Sequence, residues 1–146
     1  MKQVTRRTFV RNTGLATGSV LGFPAIVSGQ NLNSKIRVAC IGVGGKGSSD
    51  TDNAAREGGE IAALCDIDPN MLRRKGQKFP KAKQYKDFRK LLEEMENQID
   101  AVTVSTPDHC HGVAAITAMA MGKHAYVQKP LAQTVWESRI MRNLAR

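Results

Sequence analysis

A glycine-rich turn is the first stretch of this sequence whose residue types could do chemistry. It reads IGVGGKG, and Gly42, Gly44 and Gly47 fit the spacing G-x-G-x-x-G. In such a turn, Gly42 would permit a tight bend, Gly44 a close approach of the main chain to a diphosphate, and Gly47 close packing of a helix on a strand. The free N–H groups of that helix could then donate to the phosphate. Glycine-rich turns are common, so the prediction requires a strand before the turn and a helix after it.

An acidic residue stands where such a site would need one. Asp66 closes the next apolar run, 24 residues after Gly42, and its carboxylate could accept hydrogen bonds from ribose hydroxyls. Its charge would repel the extra phosphate of NADP. The sequence therefore favours NAD, although Arg73 and Arg74 leave NADP open. Asp68 is a competing acid, but its position before a proline fits a helix cap.

Predicted strands and helices alternate along residues 35–146. This alternation supplies the strand before the glycine turn, the helix after it and the strand that ends at Asp66. Apolar, often β-branched runs predict five strands, at 35–42, 60–66, 83–85, 99–107 and 123–130. Helical spacing and capping residues predict helices that begin near Ser48, Asp68, Asp87, His111 and Thr134. Asp50 and Asp52 would lie near the start of the first helix, where acids are favourable. The alternation predicts an α/β fold, a Rossmann-type doubly wound parallel sheet of about five strands.

Residues 1–29 are expected to be an export signal. Arg6 and Arg7 in TRRTFVR resemble the twin-arginine pattern, and a modestly apolar stretch follows from about Leu15 to Val27. That stretch is too short and too rich in glycine to span a bilayer stably. We therefore expect a signal at 1–29, a linker at 30–34, a folded domain at 35–146 and export to the periplasm. A disordered basic tail is the alternative.

Charge and cysteine usage argue against nucleic-acid and metal partners. The formal net charge is +9, but four of the 22 basic residues lie in the first stretch. Nine others fall between residues 73 and 90 with few aromatic residues, a run that predicts a solvated face more than a phosphate-binding stripe. Cys40 and Cys65 are expected to be buried free thiols. Cys110 lies in the sequence HCH, yet no second cluster completes a metal site.

Four ordered motifs carry a resemblance to a known family. They are GVGGKG, CDID, STPDHCH and GKHAYVQKPLAQT. With them the chain resembles the Gfo/Idh/MocA family, relatives of glucose-fructose oxidoreductase and inositol dehydrogenase, over about residues 35–146. The resemblance implies cofactor contacts from the turn, the second strand and the segments after the fourth and fifth strands. The implied contact residues are Gly42, Gly44, Gly45, Lys46, Gly47, Asp66, Ser105, Thr106, Pro107, Asp108, His111, Gln128 and Lys129.

The resemblance also implies a catalytic lysine. The family motif E-K-P places a lysine near the nicotinamide and substrate, where it can polarise the reacting hydroxyl or carbonyl. Lys129 in QKP matches it, whereas Gln128 departs from the family glutamate and loses its negative charge. Without the resemblance, Lys129 is an ordinary polar residue after a strand, Pro107 merely stops a strand, and His111 makes a local hydrogen bond.

The function implied is the nucleotide-binding portion of an NAD(P)-dependent oxidoreductase that acts on a sugar or cyclitol by hydride transfer. Family members continue into a C-terminal α/β domain that carries the substrate site and usually mediates assembly. We therefore expect the full-length enzyme to be a homo-oligomer, and this chain alone to be inactive and to bind cofactor weakly at best. Two alternatives stay open: an NAD-dependent glycoside hydrolase of the same superfamily, and a nucleotide-binding module without turnover.

Overall fold

The computed structural model describes residues 35–146. The expected export signal and linker lie outside the described residues. The elements are β1 (Arg37–Ile41), α1 (Gly45–Arg56), β2 (Glu60–Cys65), α2 (Pro69–Lys78), β3 (Lys83–Tyr85), α3 (Phe88–Met95), a 3-10 turn (Glu96–Gln98), β4 (Ala101–Val104), α4 (Asp108–Ala120), β5 (His124–Val127) and α5 (Val135–Leu144). None of these helices is both long enough and apolar enough to cross a membrane.

The five strands form one parallel sheet in the order β3-β2-β1-β4-β5. The chain first builds outward from β1 to β3, then returns to place β4 on the other side of β1. This reversal opens a crevice at the carboxyl ends of β1 and β4, where ligands bind in doubly wound folds. The predicted Rossmann-type sheet of five strands is confirmed.

Apolar side chains of β1 alternate between two cores, one on each face of the sheet. Ala39 and Ile41 belong to a core that includes residues of α3, α4 and α5. Val38 and Cys40 belong to a second core that includes Leu72 of α2. A strand covered on both faces needs apolar residues on both sides, which explains the continuous apolar run from Val38 to Ile41.

Two differences from the predicted bounds matter for the site. Helix α1 begins at Gly45, inside the glycine turn, and not near Ser48. Asp50 is therefore an interior helix residue that faces the protein, with 5% of its surface exposed, and it does not lie at the helix start. Helix α4 likewise begins at Asp108, so that His111 is already within the helix.

The basic run between residues 73 and 90 is mostly exposed, as a solvated face requires. Lys75 is the exception, with 6% of its surface exposed. Its ammonium donates to the carbonyl of Ser48 at 3.0 Å and to the carboxylate of Asp52 at 2.9 Å. Lys75 therefore links α2 to α1.

Candidate functional site

Three segments of the chain meet at the carboxyl edge of the sheet, and backbone hydrogen bonds continue the sheet into them. The N–H of Gly42 donates to the carbonyl of Cys65 at 2.8 Å, and the N–H of Ser105 donates to Ile41 at 2.8 Å. The N–H of Gln128 donates to Val104 at 2.9 Å. Beside these segments lies a cleft of about 690 Å³, whose lining includes the glycine turn, Asp66 and the segment from Ser105 to Pro107.

The glycine turn brings α1 unusually close to β1. Gly42 has φ +80°, and a Cβ there would lie 2.6 Å from the carbonyl oxygen of Ser105. A Cβ on Gly47 would lie 2.8 Å from the carbonyl carbon of Gly42 and nearer still to its oxygen. Both positions therefore require glycine, one for conformation and space, the other for space alone.

Asp66 holds the glycine turn in place. One oxygen of its carboxylate accepts from the N–H of Val43 at 2.8 Å and from that of Gly44 at 3.1 Å. The other oxygen accepts from the N–H of Asp68 at 2.9 Å. The amide of Gly44 is thus already bonded, and the helix N-cap, being glycine, offers no side chain to the first-turn amides of α1. Those amides, from Gly45 to Gly47, are the donors available to an anion.

A buried acid, Asp50, joins the same three segments from behind the turn. Its carboxylate accepts from the ammonium of Lys46 at 2.7 Å, from the hydroxyl of Ser105 at 2.7 Å and from the amide of Gln128 at 3.0 Å. Burial acts to raise the pKa of Asp50, but the hydrogen bonds from Lys46, Ser105 and Gln128 outweigh it, and the pKa is lowered. The carboxylate is therefore ionised inside the protein.

Sequence reasoning missed Asp50 as a site residue. The signal present in the sequence was the spacing of Gly47, Asp50 and Thr51, which places all three on one face of a helix that starts at Gly45. All three are buried. A helix that starts near Ser48, as predicted, excludes Gly47, so the buried face that contains Asp50 could not be recognised from the sequence.

His111 ties two segments together from within the protein. Its ring is 1% exposed. Nδ1 lies 2.7 Å from the carbonyl oxygen of Pro130, and Nε2 lies 2.7 Å from that of Thr106. The hydroxyl of Thr106 is buried and has no hydrogen-bond partner in residues 35–146. His111 thus fixes the segments after β4 and β5 relative to each other.

The remaining expected residues lie at the surface of these segments. Pro107 caps α4, and Asp108 is its first residue; both are exposed. Lys129 is exposed as well, and its backbone N–H approaches the side-chain oxygen of Gln128 at 3.4 Å. Its side chain is therefore free to reach a ligand.

The cysteines do not form a metal site in the described part of the chain, where no group of His, Cys, Asp or Glu could hold an ion. Cys40 and Cys65 are buried free thiols, as predicted, and Cys110 is half-buried. Burial raises the pKa of the Cys65 thiol to about 12, and the negative charges of Asp66 and Asp87 act in the same direction.

Residues 36–146 match a family model described as "Oxidoreductase family, NAD-binding Rossmann fold". The chain belongs to the Gfo/Idh/MocA family. The predicted resemblance is thereby confirmed, and the domain is an NAD-binding Rossmann domain.

Two curated proteins are similar to this chain in sequence. A glycosyl hydrolase family 109 protein of Shewanella pealeana is 32% identical over an alignment that covers 92% of this chain and 35% of the relative. An alpha-N-acetylgalactosaminidase of Shewanella oneidensis is 39% identical over an alignment that covers 70% of this chain and 24% of the relative. The chain therefore spans about a quarter to a third of the length of the curated relatives that it matches.

A solved structure supports the same assignment. The WlbA dehydrogenase of Chromobacterium violaceum, determined in complex with NADH and UDP-GlcNAcA, superimposes with a TM-score of 0.65 at 26% identity. The match covers 78% of this chain and 33% of that one.

The residues of this Gfo/Idh/MocA chain fit a dinucleotide. A Cβ on Gly44 would lie 3.2 Å from Met71 and 3.6 Å from the carboxylate of Asp66, so glycine keeps that approach open. At Gly45, with φ +45°, no atom lies within 4 Å of a would-be Cβ. Open main chain beside the Asp66 side chain is the donor and acceptor set that a diphosphate and its ribose require.

Proposed function

We propose that this chain is the nucleotide-binding portion of an NAD-dependent enzyme that transfers hydride at a carbon of a sugar or cyclitol. The observation that carries the proposal is the cleft at the reversal of the sheet, where a glycine turn and Asp66 lie side by side. The Gfo/Idh/MocA family and its NADH-bound structural relative support the choice of cofactor class.

Each half of the cofactor has candidate residues. The first-turn amides of α1, from Gly45 to Gly47, would donate to the diphosphate because they are not capped by a side chain. The carboxylate of Asp66 retains lone pairs beyond its three backbone contacts, so it could still accept from ribose hydroxyls. Ser105 and Thr106 would line the nicotinamide half.

Bound NAD would supply a carbon that accepts or releases hydride. This chain would bind and orient the nicotinamide and would transfer a proton to or from the reacting oxygen. The ammonium of Lys129 could donate a hydrogen bond to the reacting oxygen and move its proton. An acid–base partner and the walls that enclose a sugar would come from the rest of a protein of the relatives' length.

Net oxidation or reduction is one outcome of this chemistry, and glycoside cleavage is the second candidate. The names of the two curated relatives favour the second, since both denote glycoside hydrolases. In that reaction a transient oxidation of the sugar precedes loss of the leaving group, and the cofactor returns to its original state. In a protein extended to the relatives' length, release of free sugar from an alpha-N-acetylgalactosaminide without NADH accumulation would identify the hydrolase. Accumulation of NADH with a free sugar or cyclitol would identify the dehydrogenase.

Cofactor binding is tested directly by titrating the 146-residue chain with NADH and NADPH in a calorimeter. Because this chain alone is expected to bind cofactor weakly, the titration uses millimolar nucleotide, and we expect weak but measurable binding of NADH and still weaker binding of NADPH. Asp66→Asn should weaken NADH binding about tenfold through loss of a charged acceptor, whereas Asp68→Asn, a matched charge change two residues away, should leave it within about twofold. No heat with either nucleotide, or equal losses in both variants, would contradict the proposal.

Export through the twin-arginine route remains a proposal that rests on the Arg6–Arg7 pair. Replacing both with lysine should leave the protein in the cytoplasm of an expressing bacterium, while the unchanged chain should reach the periplasm. Equal periplasmic recovery of the two would contradict it.

A further inference from the structure

Asp50 supplies a negative charge close to residue 128, where the sequence alone shows that the family's charge is missing. The family motif has glutamate where this chain has Gln128, so the negative charge expected before Lys129 is absent there. The structure places another negative charge, the carboxylate of Asp50, 3.0 Å from the amide nitrogen of Gln128. The charge has therefore not left the site; it lies on α1 instead of after β5.

The geometry explains why residue 128 is an amide. A carboxylate at 128 would place two like charges within hydrogen-bond distance, in a position where the Asp50 side chain is 3% exposed. Such a pair cannot stay fully ionised, and one carboxyl must take up a proton. An amide instead donates to the carboxylate, while its oxygen faces the backbone N–H of Lys129.

We propose that Asp50 is a positioning residue of the cofactor site, holding Ser105 and Gln128 together and thereby placing the segments that precede Thr106 and Lys129. This inference rests on the proposed function, because those two segments are the expected walls of the nicotinamide half. It also explains the residue type at position 128, because an ionised acid at position 50 favours an amide over a carboxylate there.

Lys46 is part of the same arrangement. Its ammonium lies 2.7 Å from the other oxygen of Asp50, and the hydrogen bond to Asp50 raises the pKa of Lys46. With 61% of its side chain exposed, Lys46 partly neutralises the buried acid and stays at the rim of the diphosphate site. Asp50 consequently connects the glycine turn with the ends of β4 and β5.

The test is a swap of carboxylate and amide in the 146-residue chain. It uses Asp50→Asn, Gln128→Glu, Gln128→Ala and the two double variants that combine Asp50→Asn with each change at 128. NADH affinity is measured by calorimetry, and the urea midpoint is measured without nucleotide. Gln128→Ala is the matched control, because it removes the hydrogen bond without adding charge.

The order of the NADH affinities of Gln128→Glu and Gln128→Ala should reverse when Asp50→Asn is introduced. With Asp50 present, Gln128→Glu should bind NADH about tenfold more weakly than Gln128→Ala, because it adds like-charge repulsion. In the Asp50→Asn background, the glutamate can accept from the introduced side-chain amide, so Gln128→Glu should bind about tenfold more tightly than Gln128→Ala. The double exchange should also regain most of the wild-type urea midpoint.

A pH profile separates positioning from general stability. In Gln128→Glu alone, NADH affinity should rise as pH falls from about 8 to about 5, because the carboxyl pair takes up one proton. The other ionisable groups around Asp50 are Lys46 from α1 and Cys40 from β1, with Tyr126 of β5 acting on Lys46. The pKa of Lys46 and that of Cys40 are both raised, so neither group changes its protonation in this range. The ratio of the Gln128→Glu affinity to the wild-type affinity at each pH therefore reports on the carboxyl pair.

Three results would overturn the inference. Additive effects of the changes at 50 and 128 on NADH affinity would show that the two residues do not act together. Coupled urea midpoints with equal NADH affinity in every variant would reduce Asp50 to a structural role. A wild-type chain that binds no NADH would instead refute the proposed function, and the positioning role with it.

Discussion

Gly47→Ala tests the close approach of α1 to β1 with a single methyl group. The new Cβ would lie 2.8 Å from the carbonyl carbon of Gly42 and 3.0 Å from the Cβ of Ser105. Neither neighbour is a flexible side-chain end, so the helix must move away from the strand. Overpacking of this kind costs about 3 kcal/mol at the upper end of its range, and the helix preference of alanine over glycine returns about 1 kcal/mol. We expect a net loss of about 2 kcal/mol in the free energy of unfolding.

Urea unfolding of the 146-residue chain measures this loss. With a slope of about 2 kcal/mol per molar, the midpoint should fall by about 1 M. The same displacement moves the first-turn amides of α1, so NADH affinity should fall by about tenfold or more. Ser49→Ala, on the exposed side of the same helix, is the control and should change neither quantity appreciably. An unchanged midpoint in Gly47→Ala would refute the reasoning, since it would mean that α1 can accept a side chain there without moving.

The buried polar and thiol groups lead to three further predictions. A thiol reagent should modify one cysteine, Cys110, in the native protein and three after unfolding, because burial raises the pKa of Cys65 to about 12 and Cys40 is also buried. Lys75→Met should lower the free energy of unfolding by about 2 kcal/mol through its lost charged hydrogen bonds, whereas Lys78→Met, which removes an exposed ion pair to the same acid, should change it by less than about 0.5 kcal/mol. Because the folded-state pKa of Asp50 lies below its ordinary value of 3.8, its stabilisation is present above that pH and is lost as pH falls through the folded pKa. The stability difference between wild type and Asp50→Asn, read from urea midpoints, should therefore be largest above about pH 5 and shrink towards about pH 3.

Local sequence signals predicted the fold well because each one has a local cause. Pro69 after Asp68 begins α2, and the side chain of Asp68 accepts from the N–H of Asn70 as a helix cap does. Thr134 and Glu137 form the expected capping box of α5. Alternating strands and helices then leave few arrangements for the sheet, so the topology followed from the order of the elements.

The polar interior of the site was harder to predict because its contacts join distant parts of the chain. Asp50 and Gln128 are 78 residues apart in sequence, and no local pattern shows that they meet. The inward direction of His111 was also not evident, since a histidine in a first helical turn can equally face solvent. Asp66 was predicted as a site residue from its position, but its bonds to Val43 and Gly44 emerged only from the folded geometry.

The alternation of β1 between two cores has a consequence for how this site can vary. Inserting one residue into β1 would exchange the Val38–Cys40 pair with the Ala39–Ile41 pair across the sheet, and each core would receive side chains of the wrong size. The same insertion would rotate the glycine turn to the opposite side of the sheet. The length of β1 therefore fixes on which side of the sheet the nucleotide can bind.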